Sequence, residues 1–175
     1  MNAELEAAVE KARKLEIDGA EYYTKLAEKC AVEAGRKMFH SFASDERRHQ
    51  RIIEDVAKGI GVDVDSMAMP RDEIRTIFSQ AAENVNAEAT VTADERQAVR
   101  VALQMETESY NLYVQAAGAA DDEAVTKLFE RLAREENQHY EMLENTLDYL
   151  NSNEEWFLWS EWALIVGDQS SLGMD

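Results

Sequence analysis

Apolar residues recur at intervals of three and four along four stretches of the chain, and this spacing predicts four amphipathic helices. The first stretch covers about residues 2 to 30, and the second ends near Gly59. The third runs over about residues 93 to 118, and the fourth continues to about Leu150.

Helix boundaries follow from capping and breaking residues. We expect Gly35 to lie in the break between the first two helices. The segment "TADE", Thr92 to Glu95, has the spacing of a capping box and predicts the start of the third helix. Asp121 or Asp122 is expected to cap the fourth helix.

The connections predict an all-α bundle of two helical hairpins, because the loops within each pair are short and the link between pairs is long. The first two helices form one hairpin and the last two form the other. A short aromatic segment follows the bundle. The predicted divisions are a bundle over 1–152, with repeat 1 at about 5–58, a crossover at 59–92 and repeat 2 at about 93–150, and a tail over 153–175.

A self-comparison at an offset of 90 residues shows that the two hairpins are repeats of one unit. The pattern Glu-x-x-His occurs in both, as Glu46 with His49 and as Glu136 with His139. Other positions also match across the offset: Glu16 with Glu106, Tyr23 with Tyr113, Ala27 with Ala117, Phe39 with Phe129, and Ala43 with Ala133.

The repeated glutamates and histidines are predicted to face the core. Residues three apart share one helix face, and apolar residues such as Phe39 and Phe129 share much of that face. Four buried carboxylates need compensating charge, and two divalent metal ions supply it formally. One Glu from each of two helices, with Glu-x-x-His from each of the other two, is the ligand arrangement of di-iron carboxylate bundles. The predicted metal ligands are Glu16, Glu46, His49, Glu106, Glu136 and His139.

Charge and cysteine content narrow the function classes. Thirty-six acidic residues against 18 basic ones give a net charge of −18, which argues against nucleic acid or an anionic membrane as a partner. The single cysteine, Cys30, excludes an internal disulfide and a Cys-x-x-Cys metal site. No apolar run approaches a membrane span and no secretory signal is visible, so a cytoplasmic location is expected.

These motifs resemble the ferritin-like superfamily and, within it, the rubrerythrin family, over about residues 5 to 150. The resemblance implies a ferritin-like fold and two metal ions, iron or alternatively manganese or a mixed pair. It implies that Glu16 and Glu106 are terminal ligands and that Glu46 and Glu136 bridge the metals. His49 and His139 would each bind one metal. Tyr23 and Tyr113 would hydrogen-bond to carboxylate ligands or, alternatively, be ordinary core aromatics.

The sequence departs from the rubrerythrin pattern in two ways. The family's rubredoxin-type centre needs four cysteines, and this chain has one. The family's additional glutamate, one turn from the third-helix ligand, would fall at Leu103 or Ser109, and Glu108 lies on another side of the helix. The ligand set is therefore more similar to the four-Glu, two-His set of bacterioferritin-type sites.

Three functions follow as hypotheses. The first is an enzyme that reduces hydrogen peroxide or dioxygen at a di-iron site, with electrons from an external donor such as a rubredoxin-type protein or a reductase. The second is a ferroxidase or iron-storage protein, and the third is a non-enzymatic metal-binding module. A homodimer or larger homo-oligomer is expected.

The remaining candidate residues are assigned structural roles. His40 matches Glu130 across the repeat and is predicted to be exposed. Cys30 is predicted to pack at a helix end. Apart from its glutamate and histidine, the run "DERRH" (residues 45 to 49) is interpreted as a solvated face. The aromatic residues of the tail, Trp156, Phe157, Trp159 and Trp162, are expected to cap the bundle or a subunit interface.

Overall fold

Four long helices make up the bundle in the computed structural model, which describes residues 2–59, 61 and 93–153. They are α1 (Ala3–Lys29), α2 (Glu33–Ala57), α3 (Ala93–Ala119) and α4 (Glu123–Asn153). The predicted all-α four-helix bundle is confirmed. The segment "RDEIRTIFSQAAE" (71–83), which the sequence predicts as a short helix in the crossover, lies outside the described residues. The Thr92 cap and the aromatic cluster of the tail also lie outside them.

The helices pair as the short loops predict. α1 packs against α2 and α3 against α4, and the two hairpins meet through α1 and α3, with a smaller contact between α2 and α4. Every residue of the repeated unit therefore has its twin in the opposite hairpin. No described helix is long and apolar enough to cross a membrane.

Local chemistry fixes the helix ends. The Asn2 side chain accepts a hydrogen bond from the Leu5 N–H at 2.9 Å and caps α1. Gly59, with φ of 72°, follows α2 in the left-handed conformation that stops a helix at little cost for glycine. Asp122 caps α4 by accepting hydrogen bonds from two backbone N–H groups at 2.8 and 3.1 Å.

Two boundary predictions need correction. Gly35 is buried within α2, because the break between the hairpin's helices is shorter than expected and ends at Val32. Of the two candidate caps of α4, Asp122 fills the role, and the Asp121 side chain accepts a hydrogen bond from Asn2 Nδ2 at 3.1 Å. α4 continues beyond Leu150, which is itself buried, to Asn153.

The apolar core consists of two clusters that contain matched residues of the repeat. One cluster includes Tyr23 and Phe39, whose rings stack at 6.3 Å. The other includes their twins Tyr113 and Phe129, which stack at 5.9 Å. Two further predictions are confirmed: His40 is exposed, and Cys30 is buried at the end of α1.

Candidate metal centre

The six predicted ligands converge in the middle of the bundle. All four helices contribute, and each of the six residues is at most 3% exposed. Their donor atoms form two groups in which every atom lies within 4.8 Å of the others. The inner cluster, as we call it, consists of Glu16, Glu46, His49, Glu106, Glu136 and His139.

The first group surrounds the Nδ1 atom of His49. A carboxylate oxygen of Glu136 lies 2.8 Å from this nitrogen, one of Glu16 lies 3.4 Å away, and one of Glu46 lies 3.8 Å away. Glu16 belongs to the same hairpin as His49, whereas Glu136 reaches in from α4. The group therefore needs both hairpins.

The second group surrounds the Nδ1 atom of His139. Oxygens of Glu46 and Glu106 each lie 3.5 Å from this nitrogen, and one of Glu136 lies 4.0 Å away. The two imidazole rings face each other with centroids 6.2 Å apart. The second group is thus the counterpart of the first across the bundle.

Glu46 and Glu136 belong to both groups. Glu46 directs Oε2 toward His49 and Oε1 toward His139, and Glu136 directs Oε1 toward His49 and Oε2 toward His139. Glu16 and Glu106 each belong to one group. This placement fits two bridging and two terminal carboxylates. Gly19 packs beside Glu46, and a Cβ at that position would lie at a contact distance of 3.4 Å from Glu46 Cγ.

Two buried tyrosines hold the terminal carboxylates from the opposite hairpin. The Tyr23 hydroxyl donates a hydrogen bond to Glu106 Oε1, and the Tyr113 hydroxyl donates one to Glu16 Oε1. Each carboxylate then keeps its other oxygen, Oε2, directed into the inner cluster. The tyrosines therefore orient the two glutamates as well as packing in the core.

Two further carboxylates hold the outer nitrogens of the histidines. Glu135 lies 3.0 Å from His49 Nε2, and Asp45 lies 3.1 Å from His139 Nε2. A carboxylate on the outer nitrogen fixes the tautomer and leaves Nδ1 free as a ligand. We call Asp45 and Glu135 the outer carboxylates.

The outer carboxylates correct the interpretation of "DERRH" as a solvated face. Asp45 is 1% exposed, and Arg48 is largely covered because it pairs with Asp45 and Glu135 at 2.7 and 2.9 Å. The interpretation holds for Arg47, which is exposed. The contacts of Arg48 with Glu135 and of Asp45 with His139 cannot be read from this charge-rich segment, because each partner lies on α4.

Burial and mutual repulsion shape the protonation of the glutamates. Burial and the nearby Glu46 carboxylate raise the pKa of Glu16 well above 4.5, and the same two influences raise the pKa of Glu136. For Glu46, burial acts in the opposite sense, but it is outweighed by electrostatic attraction to the neighbouring Glu16, His139 and His49, so the pKa of Glu46 is lowered. Without metal, Glu16 and Glu136 therefore keep their protons to a higher pH than an ordinary glutamate does, and Glu46 loses its proton at a lower pH.

The histidines and outer carboxylates behave as ion pairs. Burial alone would lower the pKa of His49 and His139, but neighbouring carboxylates, led by Glu136 and Glu106 respectively, raise both well above 6.5. Burial opposes ionisation of Glu135, yet His49 and the adjacent arginines lower its pKa to about 2. The pKa of Asp45 is lowered in the same way by His139 and Arg48.

Unsatisfied polar atoms provide a test of whether a metal fits. Among the described residues, seven buried side-chain nitrogen or oxygen atoms lack a hydrogen-bond partner. One is Arg48 Nη1, and the other six are atoms of the inner cluster: Glu16 Oε2, His49 Nδ1, Glu106 Oε2, Glu136 Oε1, Glu136 Oε2 and His139 Nδ1. Buried polar groups are rarely left without a hydrogen-bond partner. Six such atoms at one buried point therefore fit the binding of cations.

Comparison with known proteins agrees with this geometry. The sequence model of the family described as Rubrerythrin matches residues 8–147, which include the whole inner cluster. The chain belongs to the rubrerythrin family. Searches of curated proteins and of solved structures returned no match.

The rubrerythrin match and the buried cluster of glutamates and histidines are compatible with a di-iron site. At the position of the family's additional glutamate there is no acidic residue, since Ser109 is buried there and Leu103 is half-buried. Glu108 is exposed. The inner cluster thus brings together four glutamates and two histidines.

Asp45, Arg48 and Glu135 are functional candidates that were not predicted from the sequence. A signal was present, because Asp45 and Glu135 are twins at the 90-residue offset and both are acidic. Each immediately precedes a Glu-x-x-His motif. Had matching charge been counted as well as identity, the outer carboxylates would have been found.

Proposed function

We propose that this rubrerythrin-family protein is an oxidoreductase that reduces hydrogen peroxide, or alternatively dioxygen, at a di-iron centre held by the inner cluster. The observation that carries the proposal is the set of six unpaired donor atoms at one buried point. Glutamate oxygens with imidazole nitrogens suit iron, and they also accept manganese.

The six residues of the inner cluster would hold two ions. Glu16 and His49 would complete one position, and Glu106 and His139 would complete the other. Glu46 and Glu136 would bridge them, because each already directs one oxygen to either side. Four ionised carboxylates would then balance two divalent cations.

A bound pair of ferrous ions would supply the two electrons that, with two protons, convert one molecule of hydrogen peroxide into two molecules of water. The buried walls exclude bulk water, which strengthens electrostatic interactions within the site. Tyr23 and Tyr113 keep the terminal carboxylates oriented while the charge in the site changes.

A turnover cycle then requires electrons from outside the chain. We propose a rubredoxin-type protein or a reductase as the donor, because the single cysteine rules out an internal four-cysteine centre. A homo-oligomeric state and a cytoplasmic location stay predictions.

A ferroxidase role is the second candidate. Its support is the charge of −18, which favours the approach of ferrous ions. A ferroxidase would use the same inner cluster but would release or store the oxidised iron.

One experiment separates these functions. Purified protein is loaded anaerobically with ferrous iron, the metal content is measured, and the reduced protein is mixed with peroxide or with dioxygen in a stopped-flow spectrometer. Two irons per chain and faster oxidation by peroxide would support the peroxidase proposal. Oxidation by dioxygen with little response to peroxide would favour the ferroxidase or oxidase alternative, and failure to bind two metal ions would reject both.

A further inference from the structure

We infer that Arg48 is a positioning residue that joins the two histidine–carboxylate pairs and makes the two metal positions unequal. The inference rests on the proposed di-metal function. It predicts that metal binding at the His139 position depends on Arg48 far more than metal binding at the His49 position does.

A single guanidinium group contacts both outer carboxylates. Arg48 Nη2 lies 2.7 Å from Asp45 Oδ1 and 2.9 Å from Glu135 Oε2. These two carboxylates in turn hold His139 and His49 at their outer nitrogens. The chain of contacts therefore runs from one imidazole to the other through Arg48.

The repeat breaks its symmetry at this arginine. The twin of Arg48 is Gln138, which carries no charge. Arg131 in the second hairpin has Ser41 as its twin, and Arg131 Nε lies 2.7 Å from Glu135 Oε1. The charges that support the two outer carboxylates are therefore distributed unequally.

Glu135 has two arginine partners, whereas Asp45 has one among the described residues. Removal of Arg48 would leave Glu135 paired with Arg131 and His49. It would leave Asp45, only 1% exposed, paired with His139 alone. A buried carboxylate that loses its cation is strongly destabilised, so Asp45 would hold His139 less firmly.

The consequence for the metal follows from the role of the outer carboxylates. Such partners orient a histidine ligand and raise its basicity, and their loss lowers metal affinity by about 10- to 100-fold. Arg48→Gln introduces the residue found at the twin position. We expect it to weaken zinc binding at the His139 position by about tenfold and to leave the His49 position within about twofold.

Single-position backgrounds make the test specific. In Glu16→Ala the remaining complete position is that of His139, and in Glu106→Ala it is that of His49. Calorimetric zinc titrations compare Arg48→Gln in each background. A matched control is Arg47→Gln, which removes the same charge from the same helix at an exposed side chain that contacts Thr24.

A spectroscopic readout accompanies the titrations. Nitrogen-15 correlation spectra of zinc-loaded protein report the outer nitrogens of both buried histidines. We expect Arg48→Gln to move the His139 signals more than the His49 signals, and Arg131→Gln to change His139 little. Arg48→Lys retains a charge and is expected to restore part of the affinity, which also covers the case in which Arg48→Gln folds poorly.

The outcomes distinguish the inference from the proposed function. If the wild-type protein fails to bind two zinc ions, the di-metal proposal fails and the inference with it. If the wild-type binds two ions but Arg48→Gln weakens both positions equally, or neither, the di-metal proposal stands and the inference about Arg48 is overturned.

Discussion

The two halves of the candidate metal centre have the same inner side chains but differ in the side chains immediately behind them. Glu16 and His49 in one half match Glu106 and His139 in the other, with almost the same burial. Behind the histidines, and within the described part of the chain, two arginines pair with Glu135 and one pairs with Asp45. The inner side chains are thus identical between the two repeats, whereas the charges that support them differ.

The largest effect is expected from replacing a bridging glutamate, because both halves of the candidate centre use it. Glu46→Ala or Glu136→Ala takes one oxygen from each metal position, so we expect binding of both ions to be lost or sharply reduced. Metal analysis after anaerobic loading measures the effect. His40→Ala is the control, because His40 is exposed and outside the cluster. Two ions per chain in both bridge variants would show that the bridge assignment is wrong.

Removal of a terminal glutamate tests whether the halves act separately. Glu16→Ala is expected to reduce the content to about one ion per chain, since the other half keeps its ligands. Glu106→Ala should do the same on the opposite side. Titration with zinc gives the stoichiometry. Complete loss from either variant would mean that the two positions bind their ions only together.

Much of this candidate centre was predictable, because the twin Glu-x-x-His motifs and the matched Glu16 and Glu106 identify all six inner residues without knowledge of the fold. The outer interactions were harder to predict, since each depends on a partner in the other hairpin. Asp45 is buried because it meets His139, 94 residues away, and "DERRH" alone gives no sign of that contact. The crossed bonds from Tyr23 to Glu106 and from Tyr113 to Glu16 likewise follow from how the hairpins pack.

The crossed tyrosines provide a smaller test of symmetry. Tyr23→Phe and Tyr113→Phe each remove one donor from a buried carboxylate, at a cost of about 1–3 kcal/mol. We expect both variants to lower the free energy of unfolding, measured with denaturant, and to do so by similar amounts. Tyr110→Phe, at a largely exposed side chain, is the control. A loss in one variant only would show that the tyrosines differ as the arginines do.

The pH dependence of stability distinguishes the two halves least, because it reports both of them together, but the direction of the effect is definite. Without metal, the raised pKa values of Glu16, Glu136, His49 and His139 mean that the folded state holds more protons than the unfolded state. That stability is fully present below the unfolded pKa values, 4.5 for Glu and 6.5 for His, and is lost as pH rises toward the folded ones. The lowered pKa values of Asp45, Glu46 and Glu135 act oppositely, but their contribution is complete once pH exceeds about 5.

Metal binding displaces the protons that these buried groups hold, so metal affinity rises with pH. We therefore expect the difference in Tm between metal-loaded and metal-free protein to widen by a few °C from about pH 6 to about pH 8. Scanning calorimetry of both forms measures it, with Glu46→Ala as the variant in which the difference should vanish. A difference that narrows with rising pH would contradict proton storage in the inner cluster.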